Sequence, residues 1–274
     1  MKNLIVRALS GAVYVALIIA SLLYERNIIF ICLFGVITAM ALIEFAQMTQ
    51  PKQSYLTRLI DVVGGILIFE SMITPMGMTT MLFPFGVLAY MVVRFIAQLY
   101  VKQDNALQSL GFSVMGQMYI ALPLAMLGLV YSLCGSWVVL ALFLFIWLSD
   151  TGAYLVGSAI GRHKLFERIS PNKSWEGFFG GFILAGVAGY LLAVYFPEIF
   201  QVGKWEMMVL GLGTSVFATF GDLVESLFKR TAGIKDTGHV MPGHGGILDR
   251  VDSLLFVSLA ASFYLLFLRY FIAF

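Results

Sequence analysis

The chain has 274 residues, of which 60% are hydrophobic and 12% charged, and its mean hydropathy is +0.93. Soluble domains run near a quarter charged, so these proportions exclude a water-soluble globular fold and indicate an all-α integral membrane protein. The formal net charge of +2 says little by itself; no nucleic-acid partner is expected, and the distribution of the charges carries more information.

A membrane-spanning helix needs roughly 20 predominantly apolar residues. Segments of that kind fall at about 8–24, 27–46, 59–74, 77–98, 107–131, 136–157, 178–196, 205–228 and 252–272. The expected architecture is a polytopic bundle of about nine transmembrane helices. Eight is the alternative, because the third segment is short and ends at Pro75. The N-terminal run imitates a signal peptide but shows no small-residue cleavage motif before Glu25-Arg26, so it reads as a retained first helix. Cys32 and Cys134 lie in apolar surroundings and read as two buried free thiols. Glu44, Asp61 and Glu70 fall within or at the ends of apolar segments and read as interfacial or internally paired acids, with Glu44 the one singled out. The methionine-rich stretch from Met72 to Met81 reads as soft packing.

Distributed over the loops that nine spans leave, 13 of the 17 lysines and arginines fall on one side, from Lys2 and Arg7 to Lys235 and Arg250, and only Arg26 and Lys204 on the other. By the positive-inside rule the N-terminus and the polar loops then face the cytoplasm, in the inner membrane of a bacterium. Residues 1–135 are expected to form a scaffold that gives lipid access. Residues 136–274 are expected to carry the chemistry, with cytoplasmic loops at 158–177 and 229–250.

The first informative stretch runs from Trp147 to Arg162 and is followed by Ser170-Pro-Asn-Lys-Ser-Trp-Glu-Gly177. Asp150 is an acid inside an apolar run, where it wants a metal, a cation or water. Ser170-Pro171 reads as a helix start, which would place Lys173, Ser174 and Glu176 at a helix N-terminus suited to phosphate. The glycines from Gly177 to Gly189 read mainly as helix-packing positions, whereas for Gly157 with Gly161 close helix contact and a functional role account for the residues equally well.

The densest stretch is Gly221 to Asp252. Its 32 residues hold 5 of the 15 acids, 4 of the 17 basic residues and 2 of the 3 histidines. Asp222, Glu225, Ser226 and Lys229 follow i, i+3, i+4, i+7 and share one helix face, with Arg230 beside them. Asp249 and Asp252 repeat the i, i+3 spacing. Convergent carboxylates among lysines and arginines suit Mg²⁺ bridging phosphates that the cations also hold. Gly238, Gly243, Gly245 and Gly246 would let main-chain N–H groups approach phosphate oxygens. The P-loop pattern is absent, and the three histidines lack the spacing of a zinc site.

Ser226-Leu-Phe-Lys-Arg, then Lys235-Asp236, then Pro242-x-His244-Gly245-Gly246-x-x-Asp249-Arg250-x-Asp252 resembles the signature of the phosphatidate cytidylyltransferases, also called CDP-diacylglycerol synthases. The resemblance covers about 27 positions, and the Ser170–Gly177 string resembles the family's second block. It is looser at Glu44, where the family also tends to keep an acid. The resemblance implies that CTP and phosphatidate, drawn from the lipid bilayer, give CDP-diacylglycerol and pyrophosphate with Mg²⁺ as cofactor, a second, monovalent cation being left open. On that reading Asp222 and Asp249 are the principal metal ligands, supported by Asp150, Glu225 or Asp252. Lys229, Arg230, Lys235 and Arg250 hold the triphosphate and headgroup, with Asp236 among the catalytic group. Lys173, Ser174, Glu176, Ser226, Gly245 and Gly246 bind substrate, and His244 either contacts phosphate or orients the loop. A homodimer is left open. The alternatives are a CTP-dependent kinase acting on a polyprenol-type lipid and, in a different class, an ion-coupled secondary transporter, although no internal repeat supports the latter.

Overall fold

The structure is a computed structural model describing residues 2–24, 27–73, 76–102, 105–200, 202–238, 240–241 and 245–271. Its helices are α1 (Lys2–Leu23), α2 (Asn27–Thr49), α3 (Tyr55–Ser71), α4 (Met76–Tyr100), α5 (Ala106–Gly116), α6 (Leu122–Cys134), α7 (Ser136–Ile160), α8 (Trp175–Tyr195), the short α9 (Pro197–Phe200), α10 (Lys204–Thr231) and α11 (Leu248–Phe271). A two-stranded antiparallel hairpin, β1 (Lys164–Phe166) with β2 (Ser170–Ser174), interrupts them between α7 and α8. Among the described residues seven rods are long and apolar enough to cross a membrane: α2, Met81–Tyr100 of α4, Ala106–Cys134, α7, α8, α10 and α11. The other two apolar segments read from the sequence fall on α1, whose apolar stretch is Leu9–Leu23, and on α3, which has 17 residues.

Two compact units share the chain. One comprises Met1–Leu133 with Ile234–Val251, the other Cys134–Gly233 with Asp252–Phe274. In the first, α5 and α6 form one rod joined by a π-helical turn at Gln117–Ala121, where Leu122 N–H reaches back to Gln117 O. Pro123 stands two residues past this turn. A proline supplies no N–H and crowds the carbonyl four residues back, and a locally widened turn relieves both effects. Phe30 stacks on Tyr131 at a centroid distance of 4.0 Å, fixing α2 against α6.

Deeper in the same unit lies a polar network. Arg94 has no exposed side-chain surface, and its Nε donates to Asp61 Oδ1 at 3.1 Å. Asp61 also accepts from Ser113 at 2.7 Å, Gln53 at 2.6 Å and Tyr90 at 2.9 Å. Asp61 is thus an internally paired acid, as its setting in the sequence suggests. Removing one partner of such a pair costs about 3–5 kcal/mol, because the other charge stays buried.

In the second unit glycine lets helix backbones approach. A Cβ at Gly181 of α8 would lie 2.4 Å from Ser149 O of α7, and one at Gly189 would lie 2.3 Å from Met207 O of α10. The packing role expected for these glycines holds at both positions. Ser149 and Ser215 join α7 to α10 through a buried hydroxyl pair at 2.7 Å.

Two expectations are corrected. Ser170-Pro171 does not start a helix: Ser170–Ser174 pairs with β1, and α8 begins at Trp175 with Ser174 as its N-cap, whose side chain accepts from Gly177 N–H. The hairpin ladder claims the backbone of this segment, and the serine nearer the apolar run takes the cap. Cys32 is a free thiol but an exposed one, on an outer face of α2, while Cys134 is free and half-buried. An apolar stretch is enough to place a thiol in lipid and does not require protein to cover it.

Candidate functional site

In the second unit, α10 presents the expected polar face. Asp222 Oδ1 accepts from Ser226 Oγ at 3.2 Å, and Lys229 Nζ donates to Glu225 Oε2 at 2.7 Å across one helical turn. The Glu225 side chain is fully buried, so the charge of Lys229 is held close against it. Arg230 follows in the last turn and is exposed. Basic residues there oppose the negative end of the helix dipole.

The hairpin carries Lys173 to this face. Its Nζ lies 2.6 Å from Asp222 Oδ2, with both side chains partly exposed. Between them α7, the hairpin, α8 and α10 enclose a cleft of about 540 Å³, with Asp150, Tyr154, Lys173, Ser174 and Asp222 on its walls. Volumes of 300–1,000 Å³ are usual for small-molecule sites. The apolar-run acid Asp150 is therefore an exposed wall residue of this cleft. Glu176 is engaged at the rim: its carboxylate accepts from the backbone N–H groups of Arg162 and His163 and meets His163 Nδ1 at 2.6 Å, tying the end of α7 to the start of α8.

Asp252 belongs to this unit and is half-buried, with its Oδ1 accepting from Ser253 N–H at 2.7 Å. It lies within electrostatic reach of Asp222, Lys229 and Glu225. Carboxylates brought near one another are favoured by a cation between them. Among the described residues no three or more His, Cys, Asp and Glu side chains close into a metal cage. Mg²⁺ is commonly held by one or two carboxylates, with waters and phosphate oxygens completing its shell. The donor set of Asp222 and Asp252 fits an ion held in that way.

In the first unit, the loop leading into α11 folds around carboxylates. Asp249, in the first turn of α11, accepts at Oδ2 from Thr237 N–H at 2.9 Å, Thr237 Oγ1 at 3.0 Å and Gly246 N–H at 2.8 Å. Glu44 of α2 accepts from Ile247 N–H at 2.9 Å, Leu248 N–H at 2.8 Å and Thr237 Oγ1 at 3.0 Å. Gly245 has φ +83°, the left-handed region that favours glycine, and its backbone bridges to Met241. The Gly246 N–H, expected to face phosphate, is directed at Asp249. Lys235, Asp236 and Arg250 are exposed around this core. His244, with Pro242 and Gly243, lies outside the described residues.

Thr237 was not singled out in the sequence, yet its amide and hydroxyl together join Asp249 to Glu44. The available signal was its place between the charged Lys235-Asp236 pair and Gly238, where a short hydroxyl residue is well placed to bond nearby backbone or carboxylates.

The model of the cytidylyltransferase family matches residues 5–271, nearly the whole chain. The chain belongs to the cytidylyltransferase family. Among individual relatives it is similar to proteins named phosphatidate cytidylyltransferase. The one from Staphylococcus saprophyticus is 47% identical over 119 residues, and those from Staphylococcus epidermidis and Staphylococcus aureus are 50% identical over 119 residues. Each matched stretch covers 43% of this chain and 45% of the relative, so under half of either length carries the likeness. The cytidylyltransferase family resemblance read from the signature residues is thereby confirmed.

Proposed function

We propose that the protein is an enzyme that transfers the cytidylyl group of CTP to phosphatidate. An oxygen of the phosphatidate phosphate forms a bond to the α-phosphorus of CTP. The bond from that phosphorus to the oxygen bridging the β-phosphorus breaks, pyrophosphate leaves, and CDP-diacylglycerol remains in the membrane. The nucleophile is already ionised at neutral pH, so no strong general base is needed. The barrier lies in bringing two anions together in line, which positioning and charge neutralisation lower. The observation that carries this reading is the Lys173–Asp222 pair, a cation and a carboxylate side by side on the wall of a cleft in a chain of this family.

In this reading Lys173, Lys229 and Arg230 attract the phosphates, while Lys235, in the loop before α11, and Arg250, in the first turn of α11, are proposed for phosphate from the sequence. Ser174 and Ser226 supply hydroxyls at the cleft. Asp222 keeps Lys173 extended into the cleft until an anion takes over part of the ammonium. Asp222 and Asp252 would hold Mg²⁺, with Asp249, Asp150 and Glu225 proposed as further acids from the sequence. The metal would supply charge neutralisation at the triphosphate.

The test uses purified protein in detergent with phosphatidate, Mg²⁺ and CTP labelled at the α-phosphate. Label should enter the lipid phase with an equal amount of pyrophosphate in the water, and EDTA should stop both. Label recovered as CDP in the water with a polyprenol acceptor would replace this reading with a kinase. No consumption of CTP with any lipid would reject it.

A further inference from the structure

We infer that Glu44 is a positioning residue, the internal post around which the loop bearing Asp249 is built. It stands on α2, some 200 residues upstream in sequence of the groups it holds, and is 3% exposed. The first N–H groups of a helix lack intrahelical partners and carry the positive end of its dipole. Glu44 supplies a carboxylate to that place from another helix, with one oxygen on Ile247 N–H and the other on Leu248 N–H. Its second oxygen also receives the Thr237 hydroxyl, so a single side chain fastens both ends of the segment from Thr237 to Leu248.

The glycines of the loop make sense against this post. A Cβ at Gly238 would lie 2.5 Å from Glu44 Oε1, and one at Gly246 would lie 2.3 Å from Glu44 Oε2. The backbone is wrapped so closely around the carboxylate that a side chain at either position would push the Glu44 carboxylate out of its place. Thr237 then relays the placement. Its hydroxyl lies 3.0 Å from each of the Glu44 and Asp249 carboxylates, and its amide donates to Asp249. Glu44 therefore fixes the start of α11, and through Thr237 it fixes the rotamer of Asp249. A carboxylate in a nest of N–H groups also resembles a bound phosphate, so the competing assignment is a placeholder that substrate displaces. The depth of Glu44 and the two enclosing glycines favour the post.

The consequence for turnover rests on the cytidylyl-transfer reading, while the consequence for the loop does not, and the experiment reads both. Full-length protein in detergent is compared with Glu44→Gln, Thr237→Val and the double variant. The readouts are kcat and KM for CTP, thermal midpoint, and trypsin cleavage after Lys235 and Arg250. In Glu44→Gln one oxygen becomes a donor and meets a donor. Cleavage in the loop should rise at least about fivefold without substrate, and kcat per folded molecule should fall by about 10²-fold with KM for CTP changed less than about threefold. Thr237→Val should add little to Glu44→Gln, since both act through one carboxylate. Unchanged protease protection, or a kcat within threefold of the parent, would overturn the inference. A fall in the KM for CTP would overturn it in favour of the placeholder. If the parent itself turns over no CTP, the function proposed above fails, and exposure of the loop in Glu44→Gln still supports the post.

Discussion

Asp222 shows how much one carboxylate is asked to do. One oxygen meets the Lys173 ammonium at 2.6 Å and the other the Ser226 hydroxyl at 3.2 Å, while the Asp252 carboxyl stands within electrostatic reach. Replacing it with asparagine keeps the shape and removes the charge, so Lys173 loses its ion-pair partner and the proposed metal loses a ligand. Asp222→Asn should lower kcat by more than about 10²-fold in the labelled-CTP assay, with a thermal midpoint near that of the parent. A smaller loss would remove Asp222 from the reacting group. Lys102→Ala, on an exposed residue after α4, serves as control and should stay within about twofold. At this scale the acids themselves were legible in the sequence because charge in an apolar chain is conspicuous. Their partners were less so. The i, i+4 pair Glu225–Lys229 follows from helix geometry, but Glu44 with Ile247 and Leu248 joins positions about 200 apart, and no local spacing encodes that contact.

At the scale of elements, apolar length determined the helices well and polar strings determined their ends poorly. The run after Trp175 reads as a helix at sight. The five residues before it contain two serines, either able to cap, and hairpin pairing decided between them in favour of Ser174. The glycines were legible as packing positions because small residues four apart make a shallow groove along a helix. Which helix fills the groove was not, since α8 uses Gly181 against α7 and Gly189 against α10. This gives a prediction about packing alone. At Gly181 a side chain would press on the Ser149 carbonyl, which is backbone and cannot rotate away, so Gly181→Val should lower stability by about 1–3 kcal/mol or more. At Gly213, where a Cβ meets nothing within 4 Å, Gly213→Ala should be neutral or stabilise by up to about 1 kcal/mol. Unfolding midpoints in detergent read both. Equal midpoints for the two variants would mean that the close approach of α7 and α8 contributes nothing to stability.

For the whole molecule the open question is which way the chain lies in the membrane, and charge and helix length can be set against each other. The α8 helix has 21 residues and α10 has 28, and each is long and apolar enough to cross once. The hairpin residue Lys164, before α8, and Lys204, at the start of α10, are then separated by one crossing, since α9 is a single short turn. The basic residues gather on the hairpin side at Arg162, Lys164, Arg168 and Lys173, whereas Lys204 stands nearly alone on its side. The positive-inside rule predicts that the hairpin and its cleft face the cytoplasm, where nucleoside triphosphates are made and used. Cys32 and Cys134 are free thiols and would first be replaced by serine, the more so because Cys32 is exposed. In that background Lys204→Cys should react with a membrane-impermeant maleimide in intact cells. Lys164→Cys should react only after the membrane is opened. The reverse pattern would put the cleft on the side without CTP and remove the proposed reaction. Labelling of both in intact cells would mean that α8 does not cross, and the helix length that led to the prediction would then serve packing within the protein.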